Sequence, residues 1–161
     1  AEAFGNFLGA GVFGFMMTLP QINLFSHGTQ WTVSHGHFAF WGAYACGILS
    51  VVYVALQKAR GLQEVNGTRW KWSFGLLNFG MIGMVGALLI SGIAQAFYER
   101  AIGGSTIQAF IDAQSNLWFL QGMNARLVFG VMFAIGYAVL VYDLLTLGKH
   151  RAKQAAVLRP A

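Results

Sequence analysis

The segment that decides the fold reads Ser34-His35-Gly36-His37 and then FAFWGAYACGILSVVYVAL, residues Phe38–Leu56, a run without a single charge. A helix needs about 20 mostly apolar residues to cross a bilayer, so this run predicts a membrane span headed by two histidines. Successive residues on an α-helix turn by about 100°, which sends positions i and i+2 to nearly opposite sides. One metal ion is better served by histidines at i and i+4. The pair His35 and His37 instead suits two separate cofactors, one on each face. Gly36 between them leaves room for bulky rings on both sides.

Other parts of the chain have the same character. Trp72–Phe97 is a second uncharged run of span length, and Leu127–Tyr142 reaches that length if its helix begins near Leu120. Phe4–Leu19 is apolar and looks clipped. Of the 161 residues 57% are hydrophobic and 9% charged, where soluble domains carry about 25% charge. The chain opens Ala1-Glu2, and an acid is the wrong sign for the start of a signal peptide. Residue 1 therefore reads as a point inside a longer membrane protein. The expected fold class is an all-α membrane protein: four transmembrane helices, the first truncated, within a larger bundle. Their expected extents are residues 4–19, 33–57, 70–98 and 117–147, with a basic cytoplasmic tail over 148–161.

Pro20-Gln21 should stop the first helix, because proline breaks the hydrogen-bond ladder and restricts the residue before it. A polar external connection is expected from Gln21 to Thr32, with Thr32 or Ser34 as N-cap of the second helix. A second external connection runs from Glu99 to Asn116 and turns at Gly103-Gly104, and Gly148 ends the fourth helix as a C-cap. Glycines inside helices, namely Gly5, Gly9, Gly11 and Gly14, then Gly75, Gly80, Gly83 and Gly86, read as sites of close helix contact in lipid.

The net charge is +5, but its distribution argues against nucleic acid. Lys58, Arg60, Arg69 and Lys71 fall in one inter-helix loop, and Lys149, Arg151, Lys153 and Arg159 in the tail. Alternating helices put both regions on one side, which the positive-inside rule assigns to the cytoplasm. Cys46 lies inside an apolar run and reads as a small buried residue.

Ionisable groups within a membrane are functional candidates. They are His35 and His37 at the external end of the second helix, His27 eight residues earlier, and Arg126 near the start of the fourth; His150 reads as solvated. The pair suits haem, whose iron takes imidazole as axial ligand. Phe38, Phe40, Trp41 and Tyr44 supply flat apolar surface, or else anchor the helix at the interface. Haem propionates are anions that need donors when partly buried. His27, Thr29 and Arg126 are the candidate propionate neighbours, with snorkelling to the interface the alternative for Arg126.

The stretch Leu19-Pro20-Gln21-Ile22-Asn23, then His27-Gly28-Thr29-Gln30, then Thr32 through Tyr44 closely resembles the large, catalytic subunit of cytochrome c-dependent nitric oxide reductases. That family is a branch of the haem–copper oxidase superfamily, with a subunit I-like bundle. The wider superfamily has His-Asp-Thr, five residues, then His-x-His; here the pattern is His27-Gly28-Thr29, five residues, then His35-Gly36-His37. Glycine in place of the aspartate, and of an aromatic between the histidines, resembles the nitric oxide reductase branch. The glycine at position 28 also argues against a metal beside His27.

The resemblance implies that His35 ligates the iron of a high-spin haem b3 and His37 that of a low-spin haem b. It implies two-electron reductive coupling of nitric oxide to nitrous oxide in denitrification. The partners implied are membrane lipid, nitric oxide and a membrane-anchored cytochrome c subunit as electron donor, in a bacterial inner membrane. The chain corresponds to the last third of that large subunit. The family's non-haem iron ligands, three histidines and a glutamate, belong to earlier helices, as does the second axial ligand of the low-spin haem. Glu2, Glu64, Glu99, Asp112 and Asp143 match none of them, so the piece alone is expected to be inactive. Three other readings compete: an oxygen-reducing oxidase subunit I, a non-catalytic electron-transfer cytochrome b, and a carrier or channel without haem.

Overall fold

The computed structural model describes residues 2–61, 67–102, 104 and 106–148. Among them the chain is helical, with no strand. Helix α1 (Ala3–Thr18) and helix α2 (Pro20–Ser26) meet at 104°. Three helices long and apolar enough to cross a membrane follow: α3 (Gln30–Ala59), α4 (Gly67–Ile102) and α6 (Leu117–Thr146). Between the last two lies the short helix α5 (Ile107–Ser115). The count is three spans, or four if the bent α1–α2 pair is one. An all-helical membrane bundle is thus what the structure has.

Helix α4 is the centre. Half of its most apolar stretch is buried, against 11% for α3 and 17% for α6. The core joins Leu77, Met81, Met84, Val85 and Leu88 of α4 to Phe38 and Trp41 of α3 and Leu140 of α6. Glycines set the approach. A Cβ on Gly80 would lie 2.7 Å from the backbone nitrogen of Phe133, and one on Gly9 would lie 2.7 Å from that of Ala39. No side chain fits there, so α4 meets α6, and α1 meets α3, backbone to backbone. Gly75 and Gly86 have open space instead and serve no such contact. Outward faces stay apolar: Val51, Phe79, Leu127 and Val128 are all exposed. Lipid imposes no cost on such surface.

Four expectations need correction. Pro20 ends α1 but also begins α2 at its N1 position, because its fixed φ suits a first helical turn. The connection before α3 is therefore largely a helix. The N-cap of α3 is Thr29, whose side chain accepts from Trp31 N, so the helix starts at Gln30. The connection after α4 contains α5, capped by Thr106. Finally, Lys58 lies in the last turn of α3, and Arg69 and Lys71 in the first turns of α4, rather than in a loop. Gly148 has φ 81°, as a helix-ending glycine should. The tail from Lys149, with His150, lies outside the described residues, as do Glu64, Asn66 and Gly103.

Candidate functional site

The corner between α2 and α3 is built from small polar side chains. Thr29 Oγ1 donates to Ser26 O at 2.7 Å and accepts from Trp31 N, and Thr32 Oγ1 donates to Ser26 O at 2.9 Å. Thr29 is 2% exposed. Its hydroxyl is committed to capping, which accounts for its presence without any ligand. Gln95 of α4 ties down the start of α3, since Gln30 N donates to its Oε1 at 3.1 Å. Arg100, at the end of α4, reaches across the corner and donates to the carbonyls of Leu24 and His27. His27 itself is exposed, and its carbonyl is the group engaged.

One turn further, the two histidines are held by similar bonds. His35 Nδ1 lies 2.7 Å from Gly9 O, and His37 Nδ1 lies 2.8 Å from Val33 O. A carbonyl only accepts, so each Nδ1 carries a proton, and in the neutral imidazole Nε2 is then the nitrogen that holds the lone pair. A metal-ligating histidine is prepared in this way, oriented by its other nitrogen. The bond from His35 needs α1 close by, and Gly9 permits that approach. The ring of His35 also rests over Gly14, where a Cβ would come within 3.3 Å of Cε1. The backbone of α1 is π-helical over Asn6–Phe13, a widened turn often found at functional positions. His35 faces α1, so His37, about 200° further round the helix, points away from it.

The aromatics near the pair divide. Phe38 packs on Phe4 and Phe13 of α1, with ring centroids at 6.2 and 6.4 Å. Trp41, four residues after His37, donates its indole N–H to Asn78 Oδ1 at 3.2 Å and sets its ring edge-on to Phe133 at 5.1 Å. Phe40 and Tyr44 lie side by side with their rings tilted by 40° and face outward.

Arg126 is not at the corner. It belongs to the stripe Gly122, Arg126, Phe129, Phe133, whose neighbours in that run touch α4. Helices α3 and α6 run parallel, and Trp41 meets Phe133, so seven residues back Arg126 is level with Ser34. It is half-buried and has no hydrogen-bond or ion-pair partner among the described residues. The arginine that stands beside His27 is Arg100, which sequence reasoning passed over. Among the described residues three buried polar atoms lack a hydrogen-bond partner, Ser26 Oγ, Trp31 Nε1 and Arg100 Nε, the last of them 3.8 Å from the Glu99 carboxylate. All belong to the corner or to its clamp. Buried polar groups left unpaired cost about 1–3 kcal/mol each, so Ser26 Oγ and Trp31 Nε1 leave room for an acceptor at this end of the bundle, beside the Arg100–Glu99 ion pair. Among the described residues no three His, Cys, Asp or Glu side chains converge as a metal site.

The opposite end has its own polar cluster. Asp143, 1% exposed, accepts from the Tyr53 hydroxyl and lies 3.9 Å from Arg69 Nη1. Arg69 also bonds Thr146 and sits over the ring of Tyr142. This cluster ties α3, α4 and α6 together; the one acid in an otherwise uncharged stretch of α6 was its only signal in the sequence.

Residues 2–132 match the family model described as cytochrome C and quinol oxidase polypeptide I. The chain is 34% identical over 147 residues to a nitric oxide reductase subunit of Stutzerimonas stutzeri, covering 89% of this chain and 31% of that protein. It is 27% identical over 145 residues to a Cbb3-type cytochrome c oxidase subunit of the same organism, covering 85% and 29%. It is also 27% identical over 147 residues to the cytochrome c oxidase subunit 1 of Rhodobacter capsulatus, covering 86% and 26%. The chain thus spans less than a third of the length of these relatives.

Proposed function

The chain belongs to the cytochrome c and quinol oxidase polypeptide I family, haem-bearing integral membrane oxidoreductases, and on that premise we propose that it forms part of a nitric oxide reductase. Its role is to supply haem ligands: His35 to a high-spin haem b3 and His37 to a low-spin haem b. The observation that carries this reading is the pair of Nδ1 bonds to Gly9 O and Val33 O, which leaves both Nε2 lone pairs free on opposite faces of α3. The unpaired Ser26 Oγ and Trp31 Nε1 beside Arg100 fit the same groups, because haem propionates are acceptors that need such donors.

When bound, the high-spin haem, together with a non-haem iron in the full-length subunit, supplies the redox chemistry: two nitric oxide molecules, two electrons and two protons give nitrous oxide and water. The protein orients and tunes. Gly9 fixes the ring plane of His35 through its carbonyl, and Gly14 leaves that ring its space. Val33 does for His37 what Gly9 does for His35. Arg100 locks the α2–α3 corner from which both ligands descend. A membrane-anchored cytochrome c subunit as donor, and a bacterial inner membrane as location, complete the proposal.

Gly28 and Gly36, and the higher identity to the reductase subunit, favour nitric oxide over oxygen as substrate. The oxidase relatives define the competing reading. Gas-electrode assays on the purified full-length subunit with its cytochrome partner separate the two. The proposal expects nitric oxide consumption with one nitrous oxide formed per two consumed. Rapid oxygen consumption without nitrous oxide formation would overturn it in favour of a terminal oxidase.

A further inference from the structure

Helix α5 is chemically divided around its circumference. Ala109 and Ala113 are 4% and 0% exposed and seat the helix on the bundle. Ile107, Phe110 and Ile111 are exposed, Ile107 by 82%, and share an arc of about 100°. Gln108, Asp112 and Ser115 occupy a different arc. The polar arc satisfies itself: Gln108 Nε2 donates to Asp112 Oδ1 at 2.8 Å, and Ser115 Oγ donates to Ile111 O at 3.1 Å.

Both ends of α5 are tethered to spans. Residues 103–106 separate it from α4, and Asn116 alone separates it from α6. Such links reach no more than about 17 Å, so α5 stays at the membrane face on the His27 side. The exposed apolar surface continues past both ends, through Phe97 and Ile102 before it and Leu117 and Trp118 after it. Ile90, Ile93, Phe97, Tyr98 and Trp118 also line an apolar cleft of about 370 Å³ on the adjoining span ends.

We propose that α5 is an interfacial helix whose Ile107–Phe110–Ile111 face is immersed in the phospholipid leaflet on the His27 side. Three features select lipid as the occupant. The face is continuous with surface that spans the bilayer; it carries no charge; and a polar arc lies beside it, the division expected of a helix lying at the headgroup boundary. The helix then fixes the depth at which α4 and α6 end.

Spin labels test this in the full-length subunit, reconstituted in phospholipid nanodiscs, with Cys46 and every other native cysteine replaced by serine. Labels at Ile107→Cys and Ile111→Cys should collide several-fold more with oxygen than with an aqueous nickel chelate. Labels at Gln108→Cys and Asp112→Cys should show the reverse preference. Nickel preference at all four positions would place the helix in water. Protection of Ile107→Cys and Ile111→Cys from both reagents would place it under protein. Either result overturns the proposal. A second measurement leaves Cys46 intact: the added emission of Phe110→Trp should be quenched by lipids brominated on their acyl chains and not by iodide. Quenching by iodide alone would contradict the proposal equally.

Discussion

The orientation of the His35 and His37 rings rests on one carbonyl each, Gly9 O and Val33 O. The pair itself was legible, because i,i+2 spacing needs only helix geometry. Its fixing by α1 was not, because a carbonyl partner twenty-six residues away leaves no mark in side-chain sequence. Arg100 was missed for the same reason. In the sequence Arg100 merely opens the external connection that begins at Glu99, whereas in the structure it clamps two backbone carbonyls; Arg126 drew attention because it sits in an apolar run. Hydrogen bonds from a charged donor contribute about 1.5–3 kcal/mol each, less where partly solvated. Arg100→Ala should therefore destabilise the assembled subunit by about 2 kcal/mol, with partial recovery in Arg100→Lys, as read by thermal unfolding in detergent. An unchanged melting temperature would show that the corner does not depend on this clamp.

Among the elements, the three long spans followed from hydropathy, since burial in lipid needs only length and composition. The short helices did not. Pro20 marks a helix end and a helix start equally well, and α5 is too short for its pattern to stand out between Glu99 and Asn116. The π-helical stretch of α1 has no composition of its own: of its glycines, Gly9 meets α3 backbone to backbone while Gly11 is exposed and meets no other helix. Gly9 is where element geometry meets the site. A side chain there must push α1 from α3, since the nearest backbone atoms lie 2.7 and 2.8 Å from the Cβ position. Gly9→Val should lengthen or break the His35 bond and alter the iron–imidazole stretch of the high-spin haem in resonance Raman spectra, leaving low-spin bands in place. Loss of both sets of bands, or of neither, would contradict this division of α1 to one histidine.

In the molecule as a whole, α4 is the axis and the two ends differ. One end carries the Arg100 corner and the orphaned donors; the other carries Asp143, Tyr53 and Arg69, a buried carboxylate made tolerable by two partners. The histidines lie on the first of these ends, about two turns below Thr29, and the lipid-like outer faces leave the bundle open on several sides. The central claim is that α3 holds two haems independently, one per face. The most direct measurement is the haem content and the optical and electron paramagnetic resonance spectra of the full-length subunit carrying His35→Ala or His37→Ala. The account predicts loss of the high-spin signal alone in the first variant and of the low-spin signal alone in the second, each with the other haem retained. Both haems retained with unchanged spectra in both variants would contradict it.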